Sequence, residues 1–270
     1  MAREMPEGPR INYQINGKFV KPETMEREFA LACGTDITLQ DIVSCFYLVP
    51  NTYFVGVVDM VKESAKRQFK LNGQYITPDP ESAFKDKSAL SFAVWFNVNS
   101  LTGERSGQLW NFNVHDSQKG TGTILARTAI EILENMQMTK CFLHAGDSVG
   151  GYFWASLGLE PQDKNAETQL QESLRRRIKR LRDSGFGIPE TVDRLIDRLS
   201  LPDGDTAKSY PKDIAELEEP KVEWKGQNVT LGKGLLMGLV WHAMLDFSNE
   251  RQMSAFNLAT GRSGPCLTKS

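Results

Sequence analysis

The chain is poor in the residues that build metal sites and disulfide frameworks. It has four cysteines and three histidines in 270 residues. Cys33, Cys45, Cys141 and Cys266 lie far apart and none sits in a C-x-x-C pair, which argues against a zinc site and a dithiol redox motif. Thiols this sparse read as buried groups in a reducing compartment. Charge of one sign is lacking too. The 32 basic and 34 acidic residues leave a net charge of −2, so no overall field draws the protein to nucleic acid or an anionic membrane. No apolar run reaches the ~20 residues of a bilayer span. The most hydrophobic stretch, Leu235–Phe247, is interrupted by His242 and Asp246 and reads as a buried helix. The first ten residues lack the apolar core of a secretory signal, and no internal repeat or low-complexity tract is visible. A soluble, cytoplasmic protein is expected.

What is present is an ordinary globular composition, 40% apolar and 24% charged. Residues 1–30 show no sustained period and predict an irregular lead-in. Val43–Val49 and Tyr53–Val61 read as strands around a turn at Pro50-Asn51-Thr52. Gln68–Leu71 and Gln74–Ile76 flank Asn72-Gly73, a hairpin signal. Leu90–Val98 alternates strictly through Phe92, Val94, Phe96 and Val98, and Gly107–His115 returns after a turn at Asn99–Gly103. Beyond His115 the period changes. Leu125, Ala129, Ile132, Leu133 and Met136 share one helix face, Lys140–Ala145 reads as a buried strand, and a short helix near Tyr152–Leu157 is closed by Gly158. Two amphipathic helices follow, one striped by Leu170, Leu174, Ile178 and Leu181, the other by Ile188, Val192, Leu195, Ile196 and Leu199. Residues 201–220 read as a loop or linker, and a strand is expected near Val222–Trp224.

The chemistry centres on Ser117-Gln118-Lys119-Gly120-Thr121-Gly122-Thr123, between a strand and a helix. A helix start presents unpaired N–H groups and the positive end of the dipole. Two glycines let an anion approach the backbone, so the loop suits a phosphate or pyrophosphate, with Lys119 adding a charge. The alternative is a tight turn whose glycines serve geometry alone. The loop is not a P-loop, and it lacks the third glycine of a dinucleotide fingerprint.

From Trp110 to Pro161, about a fifth of the chain, the sequence resembles the cofactor-binding half of the GNAT superfamily of N-acetyltransferases. The resemblance rests on the glycine loop after a strand, the helix Ile124–Met136, the strand Lys140–Ala145, and the run Gly150-Gly151-Tyr152-Phe153-Trp154-Ala155-Ser156-Leu157-Gly158. It implies an α/β fold of α+β type, a mixed, mainly antiparallel sheet flanked by helices, here with a C-terminal helical extension. It also implies acetyl-CoA as acyl donor, its pyrophosphate held by the amides of Gly120, Thr121, Gly122 and Thr123, with Ser117, Gln118 and Lys119 completing the loop. Three departures stand out. Ser117 replaces the family's Arg or Gln, Trp154 replaces its thiolate-protonating tyrosine, and its closing β-hairpin is not evident after Pro161.

Acetyl transfer needs a base for the ammonium proton and an acid for the departing thiolate. His115, at a strand end before the loop, is the candidate base, and Tyr152 the candidate acid. Each has a packing alternative. Asp147 could orient an amine but also suits a turn. His144 in a strand and His242 on the late apolar helix are expected to be structural, and no metal spacing is present. Arg175–Arg182 concentrates positive charge that could meet an acidic partner, nucleic acid or the cofactor's 3′-phosphate, or pair with nearby carboxylates.

The expected layout is a core over 1–164, a helical extension and linker over 165–220, and a C-terminal strand and helix over 221–270. Three functional readings follow. The first is an acyl-CoA-dependent transferase acting on an unknown amine acceptor, a protein among the possibilities. The second is a catalytically degenerate scaffold serving as an interaction or assembly component, for example of a phage particle or effector system. The third is a nucleic-acid-binding accessory protein using its basic helix.

Overall fold

The computed structural model describes residues 10–34, 37–45, 53–77, 87–114, 120–146 and 150–262. The chain forms two compact units that divide between Cys141 and Phe142. The fold is mixed α/β, with a mainly antiparallel sheet flanked by helices and further helices toward the C-terminus, as the sequence leads one to expect.

The first unit contains β1 (Arg10–Ile15), β2 (Lys18–Phe19), α1 (Pro22–Cys33), α2 (Leu39–Ser44), β3 (Tyr53–Glu63), β4 (Lys66–Thr77), β5 (Lys87–Asn99), β6 (Arg105–Val114) and α3 (Thr121–Asn135), and it ends in the first residues of β7 (Lys140–Ala145). Its strands run in the order β2-β1-β3-β4-β5-β6, with β1 parallel to β3 and the other neighbours antiparallel. Period-2 alternation sorts the side chains. Phe54, Val58 and Met60 of β3, Phe69, Leu71 and Tyr75 of β4, and Phe92, Val94, Phe96 and Val98 of β5 are all buried. α1 adds Met25, Phe29 and Cys33, four residues apart and therefore on one side of the helix. The Phe29 ring meets Phe69 edge-on at 5.1 Å.

Residues 10–30 are not an irregular lead-in, and residues 1–9 lie outside the described residues. The 10–30 stretch forms β1, β2 and most of α1, because pairing with β3 and packing on Phe69 supply an order that its local period does not reveal. Val43 and Ser44 belong to α2 rather than a strand, and residues 46–50 lie outside the described residues. Thr38 and Asp41 cap α2 reciprocally, at 2.8 and 3.0 Å. Glu26 of α1 also accepts from the amides of Leu39 and Gln40 at 3.0 and 3.1 Å. The second cap comes from 13 residues away, beyond the reach of a local reading.

Asn72-Gly73 is not a hairpin turn either. β4 runs unbroken through both residues, and the chain reverses at Ser64-Ala65. Gly73 is there for packing. It stands opposite Gly56 in register, and a Cβ on Gly73 would sit 2.4 Å from the Phe54 ring and 2.8 Å from Phe92. A Cβ on Gly56 would meet the same Phe54 ring at 2.7 Å. The two glycines make the space that this ring occupies.

The second unit continues β7 and adds α4 (Gly150–Ser156), β8 (Glu160–Pro161), α5 (Lys164–Asp183), α6 (Glu190–Asp197), a 3-10 turn (Arg198–Ser200), α7 (Pro211–Ala215), β9 (Val222–Trp224), β10 (Gln227–Val229), α8 (Leu231–Leu236), β11 (Trp241–Asp246) and α9 (Glu250–Thr260). Its main strands run β7-β11-β8, and β9 and β10 pair separately. The expected stripe of α5 is buried at Leu170, Leu174 and Ile178, and α6 buries Val192 and Ile196. The 201–220 stretch carries α7 and is tied to α5 by Lys208, whose ammonium reaches Glu167 at 3.3 Å and Asp203 at 2.8 Å.

Leu235–Phe247 is not one helix. α8 stops at Leu236, Gly238 adopts a φ of 70°, and Trp241–Asp246 is a strand between β7 and β8. Its alternation, Trp241, Ala243 and Leu245 buried with His242 exposed between them, is that of a sheet.

Gly73→Ala is expected to destabilise the protein by about 1–3 kcal/mol through overpacking against Phe54. In a Phe54→Leu background the same change should cost less, which chemical denaturation of the double-mutant cycle measures. Equal cost in both backgrounds would show that the ring is not the obstacle.

Candidate functional site

Gly120 opens α3 with a φ of 95° and no side chain to cap the helix. A Cβ there would meet no described residue within 4 Å. The first amide of α3 to bond within the helix is that of Ile124, to the Gly120 carbonyl at 3.0 Å. Among the described residues, no protein acceptor takes the amides of Thr121, Gly122 or Thr123. α5, α8 and α9, by contrast, are capped by Asp163, Thr230 and Asn249. The first turn of α3 carries no acidic residue, so the positive end of its dipole is not neutralised locally.

The helix itself is firmly held. Leu125, Ala129, Ile132, Leu133 and Met136, the expected face, are buried. Gly107 of β6 lets Leu133 approach, since a Cβ at that position would lie 2.4 Å from the leucine. At the far end of α3, the Thr139 amide and hydroxyl both donate to the Arg105 carbonyl, at 3.1 and 2.8 Å. The chain thus re-enters beside the start of β6. Of the predicted loop, Gly120 caps α3, and Thr121, Gly122 and Thr123 form its first turn. His115, Ser117, Gln118, Lys119 and Asp147 lie outside the described residues.

Tyr152 belongs to the second unit. It is half-buried on α4, and the Lys233 ammonium lies over its ring at 5.4 Å. Burial raises its pKa, and the Glu216 carboxylate raises it further, so the phenol is protonated at neutral pH. Trp154, two residues on, is buried and meets Phe153 edge-on at 4.9 Å. Gly151 was not singled out by the sequence. A Cβ there would press on the Leu236 carbonyl at 2.4 Å, so this glycine sets how closely α4 approaches α8.

His144 and His242 are both exposed, on neighbouring strands, with their rings stacked at 4.8 Å. His242 is thus on a strand and not in a helical core. Among the described residues no group of three or more potential ligands could hold a metal ion, and no helix is long and apolar enough to cross a membrane. Cys33 and Cys141 are buried thiols, and burial pushes Cys33 up to about 12 and Cys141 in the same direction. Neither is a nucleophile at neutral pH.

The basic helix is largely occupied by its own unit. Arg175 pairs with Asp197 at 2.7 Å, Arg176 with Glu172 at 3.8 Å, and Arg182 with Asp193 at 2.5 Å. Arg177 donates to the carbonyls of Gly234 and Met237, at 3.0 and 3.2 Å, and stacks on Trp224. Three of the six cations of the run thus pair with carboxylates, and two of those partners, Asp193 and Asp197, are not the carboxylates nearest in sequence. In comparison with known proteins, the chain matches no family model, no curated sequence and no solved structure.

Two outcomes test this description. The Tyr152 phenol should ionise above the usual ~10 for tyrosine, seen as the alkaline ultraviolet transition missing from Tyr152→Phe. Titration at or below that value would contradict its buried setting beside Glu216. Arg177→Met should destabilise the protein by about 1–3 kcal/mol, because two carbonyls lose their donor; an unchanged unfolding midpoint would count against those bonds.

Proposed function

We propose that this protein is an acyl-CoA-dependent N-acetyltransferase of GNAT-like type, which binds the pyrophosphate of acetyl-CoA at the start of α3. The observation that carries the reading is the set of three consecutive amides, Thr121 to Thr123, without acceptors among the described residues, behind a glycine whose Cβ position is unoccupied by them. The order β7-β11-β8 lends further support. β8 and β11 pair antiparallel, which supplies, interrupted by the helical extension, the closing pair that the superfamily makes as a hairpin. In this reading the amine attacks the thioester carbonyl directly, its ammonium proton goes to the base expected at His115, and the departing thiolate takes up a proton. No covalent enzyme intermediate forms.

One observation favours a second reading, a scaffold that keeps the cofactor cradle without turnover. Trp154, at the position of the family's tyrosine, is buried against Phe153, and Tyr152 is two residues away on a seven-residue helix, about 200° around it.

Calorimetry with acetyl-CoA tests the cradle. Saturable binding is expected, and Thr121→Asp should weaken it by about tenfold or more, the loss expected when a carboxylate displaces a phosphate at a helix start. The same substitution should leave stability unchanged or raise it by about 0.3–1 kcal/mol, because an acid in the first turn complements the dipole. Absence of binding by the wild-type chain would remove both readings. Binding without release of free CoA thiol, across a panel of amines, would leave the scaffold.

A further inference from the structure

β3 to β6 have a second face, opposite the one that carries the core. Along β4 it presents Gln68, Lys70, Asn72 and Gln74, none of them buried and the last two exposed. Trp95 of β5 and Trp110 of β6 stand on it, their rings parallel to within 12° at 5.4 Å. The Lys70 ammonium covers the Trp95 ring at 4.8 Å, while Trp110 remains 41% exposed. This ridge separates two hollows. One, of about 440 Å³, has small Ser91 and Ala93 in its lining, and Ala93 stands opposite Trp110 in register. The other, of about 330 Å³, is lined by Gln68 and Asn97 among others. The amides of Gln68 and Asn97 bond each other at 2.7 Å.

We propose that this face binds a neutral oligosaccharide, with a sugar ring stacked on Trp110 and its hydroxyls bonded by the neighbouring amides. The chemistry of the face selects that ligand. A side-chain amide offers a donor and an acceptor a short distance apart, as a pair of adjacent hydroxyls does. An indole ring accepts the C–H face of a pyranose while its rim stays wet. Charge on the face is balanced. Asp59 and Lys70 stand opposite each other in register, and the smaller hollow is lined by Glu63 and Glu104 as well as Lys66 and Arg67. A polyanion finds no excess of positive charge there. Trp110 is the only large hydrophobic residue exposed on this face among those described, which is little for the apolar centre of a protein interface. Asp59 Oδ1 and Trp95 Nε1 are buried and have no hydrogen-bond partner among the described residues, so the groups this face offers to a ligand are the exposed amides of Asn72 and Gln74. The inference is independent of the acyl-CoA reading.

The test titrates the full chain with maltohexaose, cellohexaose and chitohexaose, read by tryptophan fluorescence and calorimetry. At least one should bind saturably at millimolar concentration or below. Trp110→Ala should weaken it by about tenfold, the loss of one stacking contact. Asn72→Ala, a change at an exposed position that cannot unfold the sheet, should weaken it by about threefold. The proposal is overturned if none of the three binds, or if binding survives both substitutions. It is equally overturned if Trp110→Ala instead abolishes self-association in sedimentation or retention of oligo-dT.

Discussion

The Phe54 ring lies across two glycines in the middle of the sheet, and much of the first unit depends on that fit. Gly56 and Gly73 face each other on β3 and β4, and each would collide with the ring if it carried a Cβ. Phe54 then packs on Tyr75 and Phe92, at 5.6 and 6.0 Å, which links three adjacent strands on one face. Because side chains alternate with a period of two, this choice of inner face fixes the outer one. Slipping β4 by one residue would bury Lys70 and Asn72 and expose Phe69 and Leu71. The apolar cost of that exchange sets the register, and the register puts Lys70, Trp95 and Trp110 together on the other side.

A similar economy governs α3. Its apolar face is buried, and Gly107 draws Leu133 close to β6, so the helix axis is held firmly although no described residue caps its first turn. An uncapped helix start costs stability. A helix start with free amides suits an anion, which is why the acyl-CoA reading is placed there. The second unit shows the opposite treatment. Asp163 caps α5, Arg182 is bound by Asp193, and Lys208 joins Glu167 to Asp203, so these charges are spent internally. A run of arginines that looks like a ligand surface in one dimension is in good part a set of struts.

How much of this was legible beforehand differs by element. β5, β6, α3 and β7 were read with their boundaries nearly right, because each carries a strong period over its own length. Gly120 falls at the start of α3 as a local signal suggests, glycine after a strand and before a helix. What escaped were features that a distant partner decides. Asn72-Gly73 has turn composition but sits mid-strand, since the ring that needs its space comes from β3. Val43 and Ser44, the end of α2, were read as the start of a strand because their β-branched, apolar run outweighed a helix of only six residues. β11 was absorbed into a helix because it has only six residues, and its strand neighbours are remote in sequence.

By itself, then, the sequence determined the mixed α/β class, the long alternating strands, the α3 face and the glycines at its start, all of which follow from periodicity and backbone freedom over a few adjacent residues. Tertiary structure alone decided which glycines are turns and which are spaces, where the arginines spend their charge, and that two tryptophans fifteen residues apart stack beside a lysine on one open face. Those outcomes depend on strand register and on long-range burial, and a register is a property of two strands at once.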